Sequence, residues 1–289
     1  MKNTGFVILC CILTLIIIPL LYTQQFEKQK EVRKISVYNV KEDNVMEMDL
    51  EEYVLKVLEK EMGIGYCDEA LKAQAVAIRT YALRKASASI PEHKGADLCT
   101  DYNHCMAYNY EILPVADKYK RAVNSTKGLV LRYNNELAAT FFFAISAGKT
   151  QNCKDVWGSD IPYLVSVNCS FDEERTGFSS EKSFESSEIE QLLSVDTSQK
   201  YSVNYLDSGY VKEVVWGDKK IKGEDVRKKL KLRSASFEII KDGKNYVFKV
   251  KGYGHGVGMS QQGADALAKQ GKTFEEILKY YYKGTYLSA

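Results

Sequence analysis

Residues 49–81, DLEEYVLKVLEKEMGIGYCDEALKAQAVAIRTY, decide how this chain folds. Asp49 precedes an apolar-periodic run, and Glu52 follows three residues later, the spacing of a helix capping box. Tyr53, Val54, Val57 and Leu58 fall on one stripe of that helix. Met62-Gly63-Ile64-Gly65 ends it, because two glycines permit a sharp turn. A second helix is predicted from about Asp68 to Ala88, rich in alanine and with acids in its first turn. Its core candidates are Leu71, Ala75, Val76 and Ile78. Lys72 and Arg79 stand seven residues apart, which returns them to within about 20° of one face. Two basic residues on a helix are most simply a solvated face. Here they also lie just beyond the turn that carries Glu61.

Around this pair, residues 34–40 alternate as a strand and residues 90–113 form an irregular loop. Pro114 opens a helix that runs to about 126, and Gly128 stops it. Residues 129–133 and 137–146 read as a hairpin turning at Asn134-Asn135. Residues 170–200 are polar, rich in Ser and Glu, and read as an insertion or flexible arm. Strands are expected near 211–216, 235–241 and 245–252. After a glycine-rich loop come helices at about 260–270 and 273–283. Strands and helices intersperse without a regular βαβ alternation, so the predicted class is α+β. The expected organisation is an N-terminal membrane-anchor helix, residues 1–22, and a polar stalk, 23–33. A single compact mixed α+β catalytic domain follows over 34–289, with a variable insertion at 170–250.

The anchor rests on residues 6–22, FVILCCILTLIIIPLLY, which carry no charge. At ~1.5 Å per residue they reach roughly 26 Å, near the short limit of a membrane span. No small-x-small cleavage site follows Tyr22, which favours an uncleaved anchor over a removed signal peptide. Lys28, Lys30, Arg33 and Lys34 lie after the segment, against a simple positive-inside reading, but long domains translocate largely regardless of charge. The body is therefore expected outside the membrane. A formal net charge of +2 over 289 residues leaves no electrostatic footprint for nucleic acid.

Two of the seven cysteines, Cys10 and Cys11, fall in the anchor, leaving an odd five. A complete disulfide framework is thus impossible. His93, Cys99, His104 and Cys105 lie within thirteen residues, HKGADLCTDYNHC. Zinc takes such ligands. The expected set is His93, Cys99 and Cys105, with His104 in reserve because adjacent residues seldom both point at one metal, and water or Glu61 in the fourth position. A Cys99–Cys105 disulfide and unlinked side chains are the rival readings. Gly148-Lys149-Thr150 resembles the end of a phosphate-binding loop, but Phe143 stands where that motif needs glycine. Residues 252–258, GYGHGVG, lack the spacing and the βαβ unit of a dinucleotide site. No nucleotide or organic cofactor is expected. The alternating glycines let backbone approach a ligand and aim His255 into a cleft. Ser146, His255 and Gln261 are further candidate contacts.

Residues 49–81 resemble the opening of the stage II sporulation protein D family, an EYV…V…EM stretch followed by EALKAQA…ART. Ser146-Ala147-Gly148-Lys149-Thr150, Val156-Trp157-Gly158 and Pro162-Tyr163-Leu164 look like its central motifs. Residues 254–286 look like its C-terminal signature almost throughout. Where many relatives have proline after Glu-Met, this chain has Gly63. The resemblance implies a membrane-anchored lytic transglycosylase that cuts peptidoglycan glycan strands, with Glu61 at the position of the family's catalytic glutamate. Lys72 and Arg79 are then assigned to substrate or oxyanion contacts. Implied partners are denuded glycan and the stage II sporulation proteins P, an amidase, and M. The implied setting is the engulfing membrane of a sporulating Gram-positive cell. The alternatives are a non-catalytic wall-binding module that recruits or enhances an amidase, and a tethered structural protein of the envelope.

Overall fold

The computed structural model describes residues 33–88, 91–111 and 115–289. The anchor at 1–22 and nearly all of the stalk lie outside the described residues. Among those described, no helix is long and apolar enough to cross a membrane.

The described residues open with β1 (Lys34–Asn39) and β2 (Asn44–Asp49), an antiparallel pair leading directly into α1 (Leu50–Glu61). Asp49 caps α1 by accepting from Glu51 N–H at 2.7 Å, so the cap forms without the expected reciprocal bond to Glu52. After the turn comes α2 (Asp68–Ala86). Then follow β3 (Leu98–Cys99), parallel to β1, and α3 (Asp117–Ser125). The hairpin β4 (Val130–Tyr133) and β5 (Glu136–Leu137) turns at Asn134 and Asn135, both at positive φ as the turn requires. The second hairpin strand is much shorter than expected. The chain leaves it at Ala138, and Phe142–Phe143 forms β6, paired in parallel with a later strand.

The helix α2 is the hub. Its buried residues include Ala70, Ala73, Ala75, Ala77 and Ala82, spread around the whole circumference, and α1, α3, α7 (Gln261–Lys269), α8 (Phe274–Tyr281) and β4 all pack on it. Small side chains on every face let five neighbours approach closely. Arg79 is therefore not on a solvated face: it is wholly buried. Its Nε and Nη2 donate to the two carboxylate oxygens of Glu51 at 2.8 and 2.5 Å, and Nη1 donates to Leu129 O at 3.1 Å. One guanidinium thus ties α1, α2 and the start of β4 together.

After α4 (Cys153–Trp157), residues 179–251 build a second core. This unit contains β7 (Ser179–Glu185), α5 (Ser186–Leu193), β8 (Tyr201–Tyr205), β9 (Val211–Trp216), β10 (Lys219–Lys222), α6 (Gly223–Leu230), β11 (Ser236–Asp242) and β12 (Asn245–Lys251). Two antiparallel sheets, β10-β9-β8 and β11-β12-β7, enclose Trp216, Tyr246, Phe248, Phe237 and Phe184. The expected polar arm at 170–200 is therefore folded. Only one face of β7 touches the core, through Phe184, so its Ser and Glu residues belong to an exposed sheet face. The chain closes through β13 (Met259–Ser260), the partner of β6, then α7, α8 and β14 (Tyr286–Ser288), which pairs with β4. The architecture is mixed α+β, with the insertion forming its own sandwich.

Removing one partner from a buried ion pair leaves an uncompensated charge and costs roughly 3–5 kcal/mol. Arg79→Met is expected to lose that much in urea unfolding, and Glu51→Leu with Arg79→Met to regain most of it.

Candidate active site around Glu61

Glu61 is the last residue of α1, at the negative end of the helix dipole, where an ionised carboxylate is disfavoured. The chain leaves the helix through Met62, whose backbone is extended and whose carbonyl accepts from Tyr119 O–H at 2.8 Å. A side chain at Gly63 would meet nothing within 4 Å, so the turn does not require glycine there. Ala107 N–H donates to Glu61 Oε1 at 2.9 Å. Gln261 Nε2 approaches Oε2 at 3.5 Å, the outer edge of hydrogen bonding. Burial raises the Glu61 pKa above its ordinary value, against the lowering effect of those two bonds. Beyond the turn, Met62 is buried in the core and Ile64 is 58% exposed. Tyr66 O–H accepts from Gln262 Nε2 at 2.7 Å, and Lys118 holds the Tyr66 carbonyl.

The two expected cations do not act on this carboxyl. Arg79 is consumed by Glu51. Lys72 Nζ pairs with Glu69 at 2.6 Å, and the other Glu69 oxygen accepts from Phe274 N–H at the start of α8. The seven-residue spacing places both on one face, where Arg79 is wholly buried and Lys72 is half-buried.

Gln261 is the candidate contact that reaches Glu61. It is the first residue of α7, whose N-cap Ser260 accepts from Gly263 N–H at 3.1 Å and donates to Asp172 Oδ2 at 2.7 Å. The same Asp172 oxygen accepts from Ser146 N–H at 2.9 Å. Ser146 is buried, and its hydroxyl accepts from Gly148 N–H, so it braces the site rather than facing ligand. Asp172 carries no sequence signal, because it stands among polar residues, and the Ala107 contact carries none, because it is a backbone N–H.

His255 is also structural. Its Nδ1 accepts from Val257 N–H at 3.1 Å, and Nε2 lies 3.1 Å from Phe142 O, so both ring nitrogens are engaged by backbone. Phe143 and Trp157 pack against the ring, with centroids at 5.6 and 5.0 Å. Burial lowers its pKa to about 4, which keeps it neutral near pH 7.

The Cys/His loop converges on one point. His93, Cys99, His104 and Cys105 each bring one ligand atom within 4.8 Å of all the others. His93 Nε2 lies 3.2 Å from His104 Nδ1 and 3.2 Å from Cys105 Sγ. Cys99 Sγ and Cys105 Sγ lie 3.4 and 3.9 Å from His104 Nδ1. A tetrahedral zinc with ordinary Zn–N and Zn–S bonds requires edges of about 3.3–3.8 Å. The four groups, His104 included, are a donor set of the kind zinc takes, with some separations wider than those edges. Adjacent His104 and Cys105 converge because the Asp101 carbonyl accepts from both N–H groups in a tight turn, and His104 uses the ring nitrogen nearer the backbone. Glu61 is outside this set. Both thiols are free.

A family model described as Stage II sporulation protein matches residues 38–133. The chain is 38% identical over 271 residues to stage II sporulation protein D of Bacillus subtilis (strain 168), covering 88% of this chain and 78% of that one. It belongs to the stage II sporulation protein D family. The Bacillus amyloliquefaciens protein of the same name is 37% identical over the same shares. A Bacillus subtilis amidase enhancer is 27% identical over 292 residues, 81% of this chain and 40% of that one. The matched segment 38–133 holds Glu61, Ala107 and all four Cys/His side chains, while Gln261 arrives from the far end of the chain.

Proposed function

We propose that this member of the stage II sporulation protein D family is a peptidoglycan lytic transglycosylase with Glu61 as its single acid and base. The observation that carries the reading is the Glu61 carboxyl, half-buried at a helix C-terminus with its pKa raised. A protonated carboxyl there can donate to the oxygen linking N-acetylmuramic acid to N-acetylglucosamine. As that C1–O bond breaks, positive charge develops at C1 of the muramoyl residue. Its own 6-hydroxyl oxygen then closes onto C1, and the hydroxyl proton passes to the Glu61 carboxylate. The acid is regenerated, no water is consumed, and the product ends in a 1,6-anhydro ring. Ala107 N–H and Gln261 hold the carboxylate while it is ionised.

The four Cys/His groups are proposed to hold zinc as a closed structural site. Four protein ligands leave no open position, and two thiolates with two neutral imidazoles neutralise the ion. The segment running from Cys105 to Ala107 would transmit that order to Glu61. The setting that fits is the outer side of a membrane during sporulation, with residues 1–22 as anchor and the stage II sporulation proteins P and M as partners. The similarity to an amidase enhancer favours a second reading, a wall-binding module without chemistry.

Mass spectrometry of products from amidase-stripped glycan strands separates these readings. The expected product is a 1,6-anhydro end, lost by at least a hundredfold in Glu61→Gln with the fold intact. Activity should fall as pH rises through the Glu61 pKa, because the acid form is the one that starts the cut. A reducing end would mean hydrolysis, and no product at any pH would favour the binding module. Elemental analysis is expected to find one zinc per chain, lost in Cys99→Ser, and a metal-free protein would end the zinc proposal.

A further inference from the structure

Lys149, in the Gly148-Lys149-Thr150 run that serves no phosphate loop, borders a polar cleft of about 460 Å³ between the first core and the sandwich. That volume falls within the usual range of small-molecule sites, roughly 300–1,000 Å³. The first core contributes Lys149 and Asp155, and the sandwich contributes Asp207, Ser208 and Lys212. Hydrogen bonds fix both walls. Asn152 Oδ1 accepts from Ser166 N–H at 2.8 Å, and Asn152 Nδ2 donates to Asp155 Oδ2 at 2.8 Å. The hydroxyl of Tyr210, a wholly buried residue, accepts from Ala147 N–H at 3.2 Å and docks the sandwich wall on the first core.

The cleft keeps opposite charges apart. Lys149 Nζ reaches the Asp207 backbone carbonyl at 3.4 Å but forms no ion pair with the Asp207 carboxylate. Among the described residues, Lys149 and Lys212 have no carboxylate within ion-pair distance, and Asp155 and Asp207 have no cation. Ser208 is only 7% exposed, and its hydroxyl has no hydrogen-bond partner among the described residues. A buried hydroxyl left unpaired is costly, so a polar ligand atom beside it is favoured. Two ammonium groups and two carboxylates give these walls no net charge. A lone anion meets the aspartates as well as the lysines, and a lone cation meets the reverse. A ligand carrying both signs can satisfy both, through charge-assisted bonds about twice as strong as neutral ones.

We propose that this cleft binds a short zwitterionic peptide, its carboxylate on Lys149 and Lys212 and its ammonium on Asp155 and Asp207. Glu61, Ala107 and Gln261 do not line it, so the inference stands apart from the glycan reading above. The sandwich thereby gains a role. It supplies half of a peptide site that the first core cannot form alone, and an occupant bridges the two.

Calorimetry on the full chain tests this with three dipeptides. These are alanylalanine with both ends free, its N-acetyl form and its C-terminal amide. The free dipeptide is expected to bind about tenfold or more tighter than either blocked form. Lys149→Gln with Lys212→Gln should remove the penalty for amidation and keep that for acetylation. Asp155→Asn with Asp207→Asn should do the reverse. All four side chains are exposed, so the substitutions are expected to leave the fold intact, as circular dichroism checks. A free dipeptide that binds no tighter than its blocked forms, or not at all at millimolar concentration, overturns the proposal. So does a preference that survives both pairs of substitutions. Chitin oligosaccharide binding that is lost in these variants while dipeptide binding persists would make the cleft a sugar site, and overturns it too. Glycan cutting by Glu61 registers separately, as anhydro products that none of these substitutions should change.

Discussion

A helix buried on all sides can carry a charge only if that charge is met inside the protein, and Arg79 meets Glu51 there. The bidentate pair joins α2 to α1, and the third donor reaches the carbonyl of Leu129 at the approach to β4. Because α1 is held in this way, its C-terminal residue has a fixed position, and that residue is Glu61. Five alanines on α2 allow the other helices to close around it. Placement of the candidate catalytic group is thus inherited from the core rather than built by a surface loop.

Two further segments meet at Glu61 from opposite directions in sequence. The Cys/His loop leads within two residues from Cys105 to Ala107, whose N–H holds one carboxyl oxygen. The β6/β13 ladder leads to Gln261 at the other oxygen, and Asp172 locks the cap of that helix to the Ser146 segment. Residues 146–172 and 254–261 therefore act mainly as bracing. His255, neutral with both ring nitrogens engaged, is part of that brace.

Much of this was legible in sequence where local rules operate. The paired helices, the Gly-containing turn, the Asn-Asn hairpin turn and the four-residue Cys/His cluster follow from capping, propensity and ligand chemistry. The misreadings share a cause. Lys72 and Arg79 were placed on the right helical face, but whether a face meets water depends on partners distant in sequence. That adjacent His104 and Cys105 point the same way depends on a tight turn about Asp101, which spacing does not reveal. The 179–193 segment looked like an arm because one buried Phe184 among exposed serines and glutamates carries little hydrophobic signal. Ala107 and Asp172 act through a backbone N–H and through a buried hydrogen bond to a helix cap, and neither has a compositional signature.

Burial keeps the Glu61 carboxyl protonated to higher pH than an ordinary glutamate, which the proposed role as acid and then base requires. A ¹³C titration of side-chain carboxyl resonances, with Glu61→Gln used to assign the signal, measures this directly. The expected Glu61 midpoint lies above the ordinary glutamate value of about 4.3. A midpoint at or below that value would contradict it, because the carboxyl would then be ionised before the glycosidic oxygen needs its proton.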